Sequence, residues 1–145
     1  MTQEQNLPPA LPEPTQIVEW IVAALDDLKA VDVRVLDVRG RCNFADFMVF
    51  ASGTSDRHLK SQAHNVVEKL RERGVRPMGV EGDDTAGTEW VLVDVTDVLV
   101  HIMLPETRDH YQLEKLWSAP AAGGAAPSAP AAYAGAMDKL RGGAR

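Results

Sequence analysis

The residues best placed for chemistry form the turn Ser52-Gly53-Thr54-Ser55-Asp56, which follows an apolar run and precedes an amphipathic stretch. A strand, a Gly-Ser turn and a helix in that order can hold a nucleotide phosphate, because free backbone N–H groups at a helix start favour an anion. Nucleotidyl transfer through such a turn also needs paired carboxylates about ten residues further on, to hold magnesium. The corresponding stretch is Gln62-Ala63-His64-Asn65-Val66-Val67, which contains no acid. The turn is therefore expected to cap a helix rather than to bind phosphate.

Other candidate groupings are weaker. Asp94 and Asp97 flank a two-residue turn, where Asp commonly bonds nearby backbone N–H groups, and they read as turn residues before they read as a catalytic pair. The four histidines, His58, His64, His101 and His110, form no metal-binding spacing, and Cys42 is the only cysteine. Cys42 reads as a buried structural thiol. His101 lies inside an apolar strand, either as a satisfied core histidine or as a surface donor. No Gly-x-Ser-x-Gly motif occurs. The chain does not read as an enzyme, and no metal or cofactor is expected.

The elements that must carry these residues follow from periodicity. Ile17, Ile21, Ala24, Leu25 and Leu28 fall at helical spacing, with Thr15 as the expected N-cap. Val33 to Val38 predicts a strand, and Phe47 to Ala51 a central strand covered on both faces. Leu59, Ala63, Val66, Val67 and Leu70 predict an amphipathic helix stopping at Gly74. Three β segments follow, Arg76 to Val80, Glu89 to Val95 and Val98 to Leu104, the last two joined by Thr96-Asp97 as a hairpin. Pro105 then opens one final helix with Leu113, Leu116 and Trp117 on its apolar face. The order predicts an α/β (α+β) domain with a mixed β-sheet flanked by helices.

Composition limits the rest. Of 145 residues, 45% are hydrophobic and 25% charged, which is the balance of an ordinary globular domain. Residues 1–14 are Pro-rich and residues 119–145 are rich in Ala, Pro and Gly, so both are expected to be disordered tails around a domain at 15–118. No secretory signal or membrane-spanning run is visible, and a single cysteine fits a reducing, cytoplasmic compartment. The net charge of −6 argues against a specific nucleic-acid partner.

Charge is segregated along the chain. From Pro77 to Thr107 there are seven acids and no Lys or Arg, whereas bases outnumber acids between Arg57 and Arg76. The acidic run is either a solvated surface or a docking face for a basic partner. Trp90 lies within it, as an interface anchor or as a core residue with a charged rim.

Taken in order, several motifs carry a resemblance. They are Val35-Leu36-Asp37-Val38, Ala45-Asp46-Phe47-Met48-Val49, Ala51-Ser52-Gly53-Thr54-Ser55-Asp56-Arg57 and Glu81-Gly82. The second half adds Glu89-Trp90-Val91-Leu92-Val93-Asp94, Asp97-Val98-Leu99-Val100-His101, Glu106-Thr107-Arg108, and Tyr111-x-Leu113-Glu114-x-Leu116-Trp117. Over Leu28 to Trp117 this resembles the ribosomal silencing factor (Iojap-related) family. The resemblance implies a nucleotidyltransferase-like fold without catalytic carboxylates. It further implies binding to large-subunit ribosomal protein fourteen, a block on subunit joining that represses translation when nutrients are short, and a homodimer when free. A non-catalytic dimeric adaptor, acting in large-subunit assembly or on another basic protein, is the alternative.

Matching motifs and charge together nominate a docking set. Trp90 is the expected apolar anchor, with Glu81, Asp94 and Asp97 facing basic groups. Arg108 and Tyr111 are expected at the edge, and His101 is expected to orient a neighbour. Two departures from the family pattern stand out: a longer loop from Asp83 to Glu89, and Thr96 where the family often has Gly. A β-branched residue resists positive φ, so the hairpin turn is expected to be of another type.

Overall fold

The computed structural model describes residues 12–42 and 44–118. Most of both expected tails, residues 1–11 and 119–145, lies outside the described residues, as does the side chain of Leu116.

Helix α1 (Pro14–Asp27) starts two residues earlier than Thr15 would allow as its cap. Glu13 is the N-cap without a side-chain bond, and Pro14 takes the first helical position, where its missing N–H is no loss. The helix ends in a left-handed residue, Lys29, at φ 60°. The amide of Ala30 donates to Leu25 O at 3.0 Å and that of Lys29 to Asp26 O at 2.9 Å, the paired bonds of a Schellman ending.

Strands β1 (Val31–Asp37), β2 (Phe47–Ser52), β3 (Gly79–Glu81), β4 (Trp90–Val95) and β5 (Val98–Met103) form one sheet in the order β1-β2-β5-β4-β3. β2 and β5 run parallel and every other neighbouring pair is antiparallel. The two parallel strands are central and wholly buried, which is why their sequences are almost continuously apolar.

Helix α2 (Asp56–Glu72) crosses over between β2 and the hairpin half. It packs beside α1 on one face of the sheet, where Ile21, Leu25, Leu59 and Leu70 meet Val49, Val93, Val100 and Ile102. Gly74 follows the helix at φ 81°, and the same Schellman bonds recur from Gly74 and Val75.

The opposite face is built differently. Alternation along the strands sends Met48, Phe50, Trp90, Leu92, Leu99, His101 and Met103 to that side. The single final helix expected from sequence is instead two short ones, α3 (Pro105–Tyr111) and α4 (Leu113–Ser118). Gln112 separates them at φ 50°, which turns the chain and seats Leu113 and Trp117 on this second face. β3 is also shorter than expected, because Arg76, Pro77 and Met78 stay outside the ladder. The mixed sheet with helices on both faces bears out the expected fold class.

Candidate protein-docking surface

The acidic residues gather on the β3 edge. Gly79 pairs with Asp94, and Glu81 with Leu92. Leu92 and Asp94 share a face, so Glu81 and Asp94 are diagonal neighbours on one side of the sheet. Gly79 has no Cβ and the space above it is open, which leaves a notch beside Asp94 and in front of Glu81. Both carboxylates are half-buried. Such a notch admits a Lys or Arg side chain from outside.

Asp97 lies off the β3 edge, in the turn between β4 and β5 at the same end of the sheet as Gly79. Its carbonyl accepts from the amides of Asp46 at 2.7 Å and Phe47 at 3.2 Å, so the backbone is held while the side chain is exposed. Thr96 beside it adopts φ 47° despite its branched side chain, so positive φ is present where it was expected to be avoided. The hydrogen bonds of the neighbouring turn and strands offset that strain. Met78, 69% exposed, borders the acidic edge, and its amide donates to Asp94 O at 2.7 Å. Sequence reading missed Met78; an apolar residue isolated between Pro77 and Gly79 was the available signal.

Trp90 corrects the expectation of a surface anchor. It is only 4% exposed, opposite Met103 and against Tyr111 at a ring distance of 5.1 Å. Its indole N–H donates to His101 Nδ1 at 3.2 Å. His101 is fully buried and stacked 4.8 Å from Phe50. Burial pushes its imidazole down to about 3, so the ring is neutral and orients Trp90. The core reading of His101 is therefore the correct one.

Arg108 is likewise not an edge residue. It is buried against the sheet, donating from Nη1 to Ser52 Oγ at 2.9 Å and from Nε to Glu114 Oε1 at 2.7 Å. These bonds tie α3 to β2 and to α4. Thr107 Oγ1 donates to Glu89 Oε1 at 3.0 Å and fixes α3 to the start of β4. Tyr111 is half-buried over Trp90 and keeps a face near solvent, unlike Trp90, His101 and Arg108. The expected set thus divides into Glu81 and Asp94 on the β3–β4 side, Asp97 at the β4–β5 turn, and an inner support of Trp90, His101 and Arg108. Tyr111 lies over that support, about 13 Å along the strand from Asp94, given four residues of rise.

The turn after β2 is a helix cap. Ser55 Oγ accepts from the amide of His58 at 3.1 Å. His58 Nδ1 accepts from the amide of Thr54 at 3.0 Å while Nε2 donates to Leu28 O at 2.8 Å, which joins the turn to the end of α1. A Cβ on Gly53 would meet Leu59 Cδ2 at 2.7 Å and Gln62 Nε2 at 3.0 Å. Side chains of α2 therefore occupy the space beside this turn. Cys42 is buried, and loss of solvation raises its thiol above the ordinary range. Among the described residues no helix is long and apolar enough to cross a membrane.

The order of these elements and motifs is shared with known proteins. A family model described as ribosomal silencing factor during starvation matches residues 11–139. The chain belongs to the ribosomal silencing factor family. A ribosomal silencing factor of Haemophilus influenzae is 39% identical over 102 residues, covering 70% of this chain and 98% of the relative. One from Chromobacterium violaceum is 42% identical over 113 residues, covering 78% and 87%. The mouse protein named mitochondrial assembly of ribosomal large subunit protein 1 is 36% identical over 104 residues, which is 70% of this chain and 45% of that protein.

A crystal structure of a Chromobacterium violaceum protein superimposes with a TM-score of 0.71 at 41% identity, covering 76% of this chain and 90% of that one. For this member of the ribosomal silencing factor family, the resemblance read over Leu28 to Trp117 is thereby confirmed as membership.

Proposed function

We propose that this protein represses translation in the cytoplasm by docking its acidic β3–β4 edge on large-subunit ribosomal protein fourteen and standing where the small subunit must land. The observation that carries this reading is the open notch of Gly79 beside Glu81 and Asp94, with Asp97 exposed at the β4–β5 turn at the same end of the sheet. Ribosomal proteins are generally basic, so a negative edge raises the rate of encounter and fixes the orientation of docking. A steric block requires no bond-making, only a stable body on a site of roughly 800 Å² per partner. The buried Trp90–His101 pair and the Arg108 clamp supply stiffness beneath that body. No catalytic group or cofactor takes part.

The test is subunit association followed on density gradients. Purified protein added to separated subunits is expected to lower the amount of joined ribosome in proportion to its occupancy of the large subunit. Undiminished joining at saturating protein would overturn the reading.

The name of the mouse relative favours a second role, in large-subunit assembly. A deletion strain accumulating incomplete large subunits in rich medium would separate that role from repression. Self-association of the free protein is supported by the outer edge of β1, where Val31 and Val35 are 45% and 42% exposed. Light scattering with and without charge substitutions at Val31 and Val35 tests it.

A further inference from the structure

We propose that the outer face of α2 binds the phosphodiester backbone of RNA, as a second contact beside the acidic edge. Arg57, Lys60 and Arg71 fall within about 60° of one another around the helix and span about 21 Å of its length. Arg73 and Arg76 follow the last turn and are exposed; Arg73 is rotated toward α1, about 160° from Arg57, so it extends the positive surface sideways rather than along the same line.

The pairing of charges distinguishes this face from the rest of the molecule. At the β1 end each of three arginines has a carboxylate: Arg34 at 3.1 Å from Asp32, Arg39 at 2.6 Å from Asp37, and Arg108 at 2.7 Å from Glu114. On α2 only Arg71 has one, Glu68 at 3.7 Å, which also lies 3.9 Å from His64. Among the described residues, Arg57, Lys60, Arg73 and Arg76 have no carboxylate within ion-pair distance. A chain with 21 acids and 15 bases has acids to spare for neutralising them.

The helix dipole explains only part of the pattern. Cations in the last turn are favoured by the partial negative charge there, which accounts for Lys69 and Arg71. Arg57 and Lys60 lie in the first turns, where the same dipole disfavours a cation. Asp56 in the same turn offsets part of that cost without forming an ion pair with either, so both cations keep capacity for an outside anion.

Geometry favours a backbone ligand. Arg57, Lys60, His64 and Asn65 line an open depression at one end of α2 together with the carboxylate of Asp56, and Arg71, Arg76 and Pro77 line another at the far end, where no carboxylate of the described residues intrudes. The guanidinium of Arg73 lies 4.9 Å over the ring of Trp20, which holds its plane and leaves its outer N–H groups for oxygen ligands. Positive groups spaced along a line of this length suit successive phosphates, and a planar guanidinium suits two oxygens of one phosphate. No side chain here is arranged to read a base edge, so the contact is independent of sequence. The choice of RNA over another polyanion rests on the proposed docking at the large subunit, whose surface supplies phosphate beside basic protein. The net charge of −6 hides this face because the acids lie on a different part of the chain.

The test uses the full chain and a variant carrying Arg57→Gln, Lys60→Gln, Arg71→Gln and Arg73→Gln, with circular dichroism as the check on folding. Binding to a short labelled A-form RNA duplex is followed by fluorescence anisotropy as salt is raised. The expected result is salt-sensitive binding by the native chain. The variant is expected to bind about ten-fold or more weakly at low salt, with the log–log salt slope smaller by about two to three. Absence of duplex binding by the native chain, or equal binding by the variant, would overturn the inference. So would binding of the native chain to phosphatidylserine vesicles without binding to the duplex. The duplex assay contains no subunit. Failure of the native chain to sediment with large subunits would therefore count against the proposed function alone, and indifference to the duplex against this inference alone.

Discussion

Trp90 and His101 form a buried hydrogen-bonded pair, indole N–H to Nδ1 at 3.2 Å, on the side of the sheet away from α1 and α2. The bond requires an unprotonated Nδ1, and burial disfavours a charged ring. The folded state holds His101 at about 3, below its unfolded value near 6.5. Between those values the unfolded chain binds a proton that the folded chain does not. The stability from this group is complete above about pH 6.5 and is lost as pH falls, by about 1.4 kcal/mol per unit. Denaturant midpoints measured from pH 7 to 5 should fall more for the native chain than for His101→Gln, whose neutral amide can still accept from Trp90. Parallel profiles would contradict this account.

Arg108 and Glu114 join α3 to α4 through two bonds, at 2.7 and 3.1 Å. Glu114 keeps some solvent contact, with its side chain 24% exposed, so the full penalty of a buried broken pair is reduced. Arg108→Ala is expected to destabilise the fold by about 2–3 kcal/mol, because it also leaves Ser52 without its donor. Chemical denaturation measures this directly.

Lys29 and Thr96 hold left-handed φ values of 60° and 47° without being glycine. Such a conformation costs an L-residue about 1–2 kcal/mol, part of which glycine returns through its greater unfolded-state freedom. Lys29→Gly and Thr96→Gly should each stabilise by about 0.5–1 kcal/mol, seen as a rise in Tm. A fall in Tm for both would show that side-chain contacts outweigh backbone strain.

Gly53 stands where a Cβ would press on Leu59 at 2.7 Å and His58 at 3.1 Å. Gly53→Ala is expected to push α2 from the turn and destabilise by about 1–3 kcal/mol. Amide exchange should locate the loosening at Thr54 to Leu59 rather than across the sheet.

The periodicity of the chain revealed what burial dictates and little of what contact geometry dictates. Phe47 to Ala51 was legible as a central strand, and Val98 to Leu104 as a hairpin strand, because both are covered on two faces and nearly every position must be apolar. β1 was legible only approximately, since most of its residues are exposed and carry no alternation. The break between α3 and α4 lacked a signal: Gln112 takes a left-handed φ that would ordinarily call for Gly or Asn. The Arg108–Glu114 pair spans that break, at a spacing a continuous helix would not bring together.

At the candidate site, the charge run pointed to acids that the sheet brings near one another only in part: Glu81 and Asp94 are diagonal neighbours across β3 and β4, whereas Asp97 lies at the β4–β5 turn. Trp90 was ambiguous because composition does not say which face of a sheet is roofed, and here α3 and Tyr111 roof it.

The claim that the acidic edge is the docking face is tested most directly by charge reversal. Large subunits are sedimented at low salt with the native chain and with a variant carrying Asp94→Lys and Asp97→Lys, each checked for native circular dichroism. The native chain is predicted to travel with the subunit, and the reversed chain to lose at least about ten-fold in affinity, because like charges then face one another. A correctly folded variant that co-sediments as well as the native chain would contradict the account.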